Sequence, residues 1–157
     1  MAKQTDAIAL LKEDHKRVKE LLKKLDETTE RGVATRKKLL DQIQMEKKMH
    51  TTIEEEIFYP AFKEAAEKKD DEEMFFEAVE EHHVVDLVLP ELKNTDPSTP
   101  QFGAKAKVLK ELIEHHADEE EKEMFPRARK LLSKAALVVL GARMEARKKS
   151  LSGKAKR

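Results

Sequence analysis

The chain has no cysteine. Disulfides, iron–sulfur clusters and thiolate zinc sites are excluded with it, so any metal held here has only nitrogen and oxygen ligands to draw on. Glycine (4) and proline (5) are scarce, tryptophan is missing, and aromatic residues make up 4% of the 157. With Leu, Ala, Glu and Lys dominant, this composition favours helix nearly throughout, in a chain long enough for one domain with its own core. No apolar run approaches the ~20 residues that span a bilayer, and Met1 to Thr5 lack the basic and apolar regions of a secretory signal. The expectation is a cytoplasmic protein with no membrane partner. Neither charge is in excess: Lys plus Arg and Asp plus Glu number 32 each in a chain that is 41% charged. Balanced, interspersed charge belongs to the solvated faces of helices and marks no specific nucleic-acid footprint.

What is present is heptad-like apolar periodicity in four long segments. Helix 1 reads from about Asp6 to Thr29, with Ile8, Leu11, His15, Val18, Leu22 and Leu25 in one stripe and Gly32 breaking the chain. Helix 2 runs from about Ala34 to Lys68; Pro60 inside it predicts a kink or short break after Tyr59. Lys68 to Asp71 reads as a polar hinge. Helix 3 covers Glu72 to Lys93, with Pro90 bending its last turn, and Asn94 to Pro100 is the clearest loop. Helix 4 spans Phe102 to Phe125 and is again followed by a proline, Pro126. Leu131 to Met144 has the composition of a fifth helix, and the basic tail from Arg143 to Arg157 is expected to fray. The prediction is an all-α, antiparallel up-down-up-down four-helix bundle over residues 1–130, with a short C-terminal helical extension and basic tail over 131–157.

All six histidines fall on these four helices: His15, His50, His82-His83 and His115-His116. His50 and Glu54 are four residues apart, as are His116 and Glu120, so each pair shares a helix face about 6 Å apart along the axis. An imidazole and a carboxylate so placed can both reach a metal at the bundle axis. The set His15, His50, Glu54, His82, His116 and Glu120 is nearly two-fold symmetric, which suits two metals bridged by two carboxylates. His82 is preferred to His83 because Val85, Val88, Leu89 and Leu92 follow it as Val18, Leu21, Leu22 and Leu25 follow His15. His116 is preferred to His115 because its distances to Glu120 and Pro126 match those of His50 to Glu54 and Pro60.

These residues resemble the hemerythrin-like family with the HHE cation-binding domain. The likeness is carried by Asp14-His15, by H-x-x-x-E-E-x-I-F-Y-P from His50, by Glu81-His82 and by H-x-x-x-E-E-x-x-M-F-P from His116, and runs from about residue 8 to 126. The resemblance implies a four-helix bundle with a non-haem di-iron centre: two iron ions with an oxo or hydroxo bridge, and O2, H2O2 or NO as small ligands. Asp86, at +4 from His82, stands where the animal hemerythrins carry a further histidine. Oxygen-carrying members have five histidines, whereas this chain offers four on the preferred faces. Members with this shorter set are associated with peroxide and nitric oxide chemistry.

Each residue also has a plainer reading. A single histidine in an apolar stripe is more often a hydrogen-bonded core residue than a ligand; it is the four together that favour a metal. The glutamate runs 54–56 and 119–121 are mostly solvated face, with only Glu54 and Glu120 expected to turn inward. Met45, Met49, Phe58 and Met124 are core filling first. Tyr59 is expected to pack with its hydroxyl at the surface, with a donor or extra ligand as the sharper alternative. His83, Asp86 and His115 stand beside it as further candidates. Competing metal motifs fail on spacing: Glu-x-x-His occurs once, at Glu80 and His83, H-E-x-x-H is missing, and no loop fits an EF-hand. Imidazole and carboxylate ligands suit iron, manganese or zinc, and six-coordinate metals with open positions favour iron. The expected function is reaction with hydrogen peroxide or dioxygen at two irons, catalase-like disproportionation leading, in a monomer or weak dimer with no separate protein nucleophile. The alternative is an iron- or oxygen-binding sensor or storage module without turnover.

Overall fold

The protein is described here from a computed structural model, which covers residues 5–155. Helix α1, Ala7–Asp26, starts at Asp6, whose carboxylate accepts a hydrogen bond from the Ala9 N–H at 2.8 Å, so a short acceptor satisfies one of the otherwise unpaired first-turn donors. It ends short of the expected Thr29, where the Thr28 hydroxyl donates to the Leu25 carbonyl and accepts from Arg36 Nε. Helix α2, Val33–Ile53, carries this Arg36, buried over the Phe102 ring and donating to the Pro97 carbonyl at 2.7 Å. It ties both loops at that end of the bundle together.

The helix does not break after Tyr59. Residues Glu54–Phe58 instead form a π turn in which the Tyr59 N–H reaches back five residues to the Glu54 carbonyl, and α3, Tyr59–Ala65, continues the same rod. Pro60 has no N–H to offer Glu56, so the ladder widens by one residue upstream of it. The second copy behaves alike: α5, Pro100–Glu119, passes through a π turn at Glu120–Met124 into α6, Phe125–Leu131. Between them α4, Lys69–Lys93, starts three residues earlier than expected. The polar hinge is a cap: the Asp71 carboxylate accepts from the Glu67 and Lys68 N–H groups and pairs in two places with Arg127, at 2.7 and 3.0 Å.

The apolar side chains divide into two cores. One gathers Ile8, Leu11, Ile53, Phe58, Phe62 and Phe125. The other gathers Leu22, Leu25, Ile43, Leu89, Leu92 and Leu109. Along every rod the dividing line falls at a histidine: His15, His50, His82 and His116 lie between the two sets. The fold therefore builds a polar layer across the bundle and seals it with hydrocarbon above and below.

Helix α7, Lys134–Ala155, extends well past the expected Met144, so the described part of the basic tail is helical; Lys156 and Arg157 lie outside the described residues. Leu137, Leu140 and Met144 join the first core, and Arg147 pairs with Glu56 in the first π turn at 2.8 Å. Gly141 allows the close approach to α1, since a Cβ there would stand 2.5 Å from the Thr5 carbonyl oxygen and 2.9 Å from the Ala7 nitrogen.

Gly141→Ala is expected to lift α7 from α1 and cost about 1–3 kcal/mol by overpacking, read from urea denaturation. Asp71→Asn removes a charged cap and a two-point ion pair, for a loss of roughly 1–3 kcal/mol at neutral pH. Arg127 and the two N–H groups hold the Asp71 carboxyl below its ordinary 3.8 against the opposing effect of burial. Its stabilisation is therefore complete above the unfolded value and fades as the pH falls toward the folded one. Melting temperatures of the two proteins should converge below pH 4.

Candidate metal centre

Two buried carboxylates occupy the middle of the polar layer. Glu54 Oε1 lies 3.0 Å from His50 Nε2 and 3.1 Å from His82 Nε2. Glu120 Oε1 lies 3.1 Å from His15 Nε2 and 3.3 Å from His116 Nε2. All six residues are at least nine-tenths buried. Their ligand atoms fall into two groups that share Glu54: His15, His50, Glu54 and Glu120 on one side, Glu54, His82 and His116 on the other. The structure thus brings the six sequence-predicted residues to one place, as two pairs of imidazoles about two acids.

An outer ring of carboxylates holds the far side of three imidazoles by hydrogen bonds and faces the fourth, His82, at a longer distance. Asp14 Oδ2 is 2.9 Å from His50 Nδ1, and Glu81 Oε1 is 2.7 Å from His116 Nδ1. Glu121 Oε2 is 2.8 Å from His15 Nδ1, and Glu55 Oε1 is 3.6 Å from His82 Nδ1. The assignment follows the internal repeat: the acid preceding His15 or His82 serves the second histidine of its own half of the chain, and the acid following Glu54 or Glu120 serves the first histidine of the other half. A carboxylate on Nδ1 fixes the ring and leaves Nε2 to face inward as a ligand. Glu55 and Glu121 thus depart from the expected solvated face, and Asp14 and Glu81, which carry the family resemblance, prove to face histidines of the layer. Their identical offsets in the two halves of the chain were the available signal.

The π turns shape this layer. In an α-helix, residue i+5 sits roughly 140° around from residue i; the wider π turn swings it back toward the same side. Tyr59 and Phe125 occupy those positions after Glu54 and Glu120. Tyr59 stacks on His82 with centroids 5.4 Å apart, and Phe125 stacks on His15 at 5.7 Å. The expectation that the Tyr59 hydroxyl reaches the surface is overturned: the residue is wholly buried, and its hydroxyl donates to Glu120 Oε2 at 2.6 Å. That hydroxyl also lies 3.3 Å from His82 Nε2 and 3.4 Å from His116 Nε2, so one half of the layer has an oxygen where the other has a phenyl ring. Of the remaining candidates, His83 and His115 are exposed beside Glu80 and Glu119, and Asp86 is exposed on α4.

The electrostatics are those of a cation site. Burial by itself lowers the pKa of His50 and His116, but the surrounding carboxylates outweigh it and raise them to about 9 and about 10. Burial favours protonated acids, and for Glu54 so does the nearby Glu120, yet the facing imidazolium groups hold both carboxyls below their ordinary value. Burial and the same two carboxylates push the Tyr59 phenol well above its ordinary value. Protein groups alone do not satisfy the layer: His50 Nε2, both oxygens of Glu54 and the outward-facing His82 Nδ1 are buried without a properly directed hydrogen bond. Buried polar atoms left unpaired cost free energy, and a metal ion accepting lone pairs from nitrogen and oxygen would engage the first three. The residues present therefore fit a metal.

An all-α bundle with a sealed histidine–carboxylate layer defines a metal-binding class of protein. Residues 6–128 match the family model of the hemerythrin HHE cation-binding domain, and the chain belongs to that family. It is similar to an HHE cation-binding domain protein of known crystal structure from Mycobacterium kansasii, a homologue of Rv2633c. The TM-score is 0.84 at 32% identity, over 96% of this chain and 90% of that one. The uncharacterised proteins Rv2633c of Mycobacterium tuberculosis and Mb2666c of Mycobacterium bovis are each 30% identical to it over 149 residues, 94% of this chain and 88% of theirs.

Helix α7 reaches this layer from outside the matched residues. Lys148 Nζ donates to Asp14 Oδ1, the oxygen opposite the one on His50, and Arg17 donates to the same atom. Burial raises the Asp14 pKa, but His50 and Lys148 hold it at about 2. Asp14→Asn is expected to weaken metal binding 10- to 100-fold, the usual effect of losing an outer carboxylate, in a competition titration against a chelator. Lys148→Met should have a smaller effect in the same direction.

Proposed function

We propose that His15, His50, Glu54, His82, His116 and Glu120 hold two iron ions, and that the protein reacts there with hydrogen peroxide or dioxygen, with catalase-like disproportionation as the leading reaction. The observation that carries this is the orphaned set of buried donor atoms at the centre of the layer. Histidine pairs on either side of the shared Glu54, with Glu120 beside it, suit two metals, and their number leaves coordination positions over for a small ligand. Bound iron would supply electrons and open positions to peroxide or dioxygen. The chain's own residues would do the rest: the outer carboxylates orient the imidazoles, the two apolar cores exclude bulk water, and the Tyr59 hydroxyl offers a proton donor to Glu120. In this reading residues 1–130 form the metal-binding bundle and 131–157 an appended helix. Among the described residues no helix is long and apolar enough to cross a membrane.

A second reading is binding without turnover, as a sensor or store. It draws on the same unsatisfied atoms, because a site that is costly without metal links metal binding to folding. Iron-loaded protein is expected to release oxygen from hydrogen peroxide, with Glu54→Ala and Glu120→Ala reduced to background. A large iron-dependent rise in melting temperature with no oxygen release above those controls would select the second reading.

A further inference from the structure

Between the candidate metal layer and the second apolar core lies a small internal cavity. The centre of a water-sized sphere can move through about 20 Å3 of it, room for one or two such atoms. All four inner histidines border it, so a ligand in the cavity is beside the metal layer on the side opposite Tyr59. Four further wall positions lie three residues from each histidine, toward the second core: Val18 after His15, Val85 after His82, Ile113 before His116 and Lys47 before His50. Three are apolar and the fourth is a lysine; the two carboxylates that also line the cavity, Asp14 and Glu81, are each engaged with a histidine, His50 and His116.

Lys47 is an unusual residue to find there. It is 6% exposed, and among the described residues its ammonium makes one hydrogen bond, to Thr51 Oγ1 at 2.6 Å, with no carboxylate within 4.0 Å. Buried lysines are ordinarily paired, because removing the ammonium from water is expensive. Burial lowers the Lys47 pKa, while the more distant charges of Glu54, Asp86, Glu120 and Glu55 oppose that shift. Packing does not require a cation at this position: the symmetry-related Ile113 fills the same role with hydrocarbon. A charge in a cavity too small for anything beyond a few atoms acts on whatever enters, and the buried surroundings strengthen its effect.

We propose that Lys47 makes this cavity selective for small anions, so that the centre favours hydroperoxide or superoxide, and inorganic anions of similar size, over neutral diatomic gases. The inference rests on the di-iron reading above and adds the charge class of the ligand. Lys47 is in this scheme a specificity-determining residue rather than a metal ligand.

Azide serves as the anionic probe, titrated into the iron-loaded protein by its charge-transfer absorption, and nitric oxide bound to the reduced protein serves as the neutral one. Iron content is measured first on every sample. In Lys47→Met, azide affinity is expected to fall about tenfold or more, the scale of losing a hydrogen bond to a charged group, while nitric oxide affinity moves by less than about threefold. The chain has no cysteine, so Lys47→Cys can be alkylated with 2-bromoethylamine in the unfolded state, refolded and loaded. The resulting aminoethyl side chain should restore azide binding, and this pair of proteins serves equally if Lys47→Met does not fold. Two irons per chain with azide affinity unchanged within twofold overturns the inference alone, as does an equal loss for azide and nitric oxide. A wild-type chain that takes up no iron pair overturns the di-iron reading, and this inference with it.

Discussion

The organisation of this molecule follows from the burial of two glutamates, Glu54 and Glu120, at the centre of a helical bundle. Two carboxylates so close together cannot both stay ionised in hydrocarbon without compensating positive charge. His50 and His116 supply it, and with His15 and His82 they place one imidazole from each rod around the acids, each with a further carboxylate facing its other nitrogen. The layer is thus built outward in shells until it meets solvent at Glu55, Glu81 and Glu121. The apolar cores on either side keep water out and the arrangement rigid. Even so, His50 Nε2 and the Glu54 oxygens remain without a directed hydrogen bond, a deficit that a metal ion would correct.

The layer is a pseudo-two-fold object whose departures from symmetry are chemical. Each half has a histidine, a second histidine with its glutamate at i+4, a π turn and a proline ten residues from the histidine. Tyr59 in one half answers to Phe125 in the other, and Lys47 to Ile113. The first difference puts a hydroxyl on one face of the layer, and the second puts a cation on the opposite face. The two sides of the layer are therefore alike in their histidines and acids but differ in what surrounds them.

Helix α7 shows that the layer is not confined to the family domain. Through Lys148 and Asp14 it reaches His50, through Arg147 and Glu56 it braces the first π turn, and Gly141 sets the closeness of its approach. The basic tail is therefore used to balance acids that the bundle has buried or crowded. Its charge pattern alone did not show this, since lysines and arginines on a solvated helix face look the same whether or not they find partners.

The sequence by itself determined the helices, their antiparallel order and the six residues that meet in the layer. It could do so because helical periodicity is local: i to i+4 spacing places His50 with Glu54 and His116 with Glu120 whatever the rest of the chain does, and apolar stripes dictate which side turns inward. Tertiary structure alone decided what depends on register between rods. The π turns moved Tyr59 from an expected surface position to the layer, the packing of α4 on α5 brought Glu81 to His116, and the seating of α7 brought Lys148 to Asp14. These contacts join residues 35 to 134 apart in the chain. No spacing rule reaches that far, because such distances are set by how whole helices seat against one another.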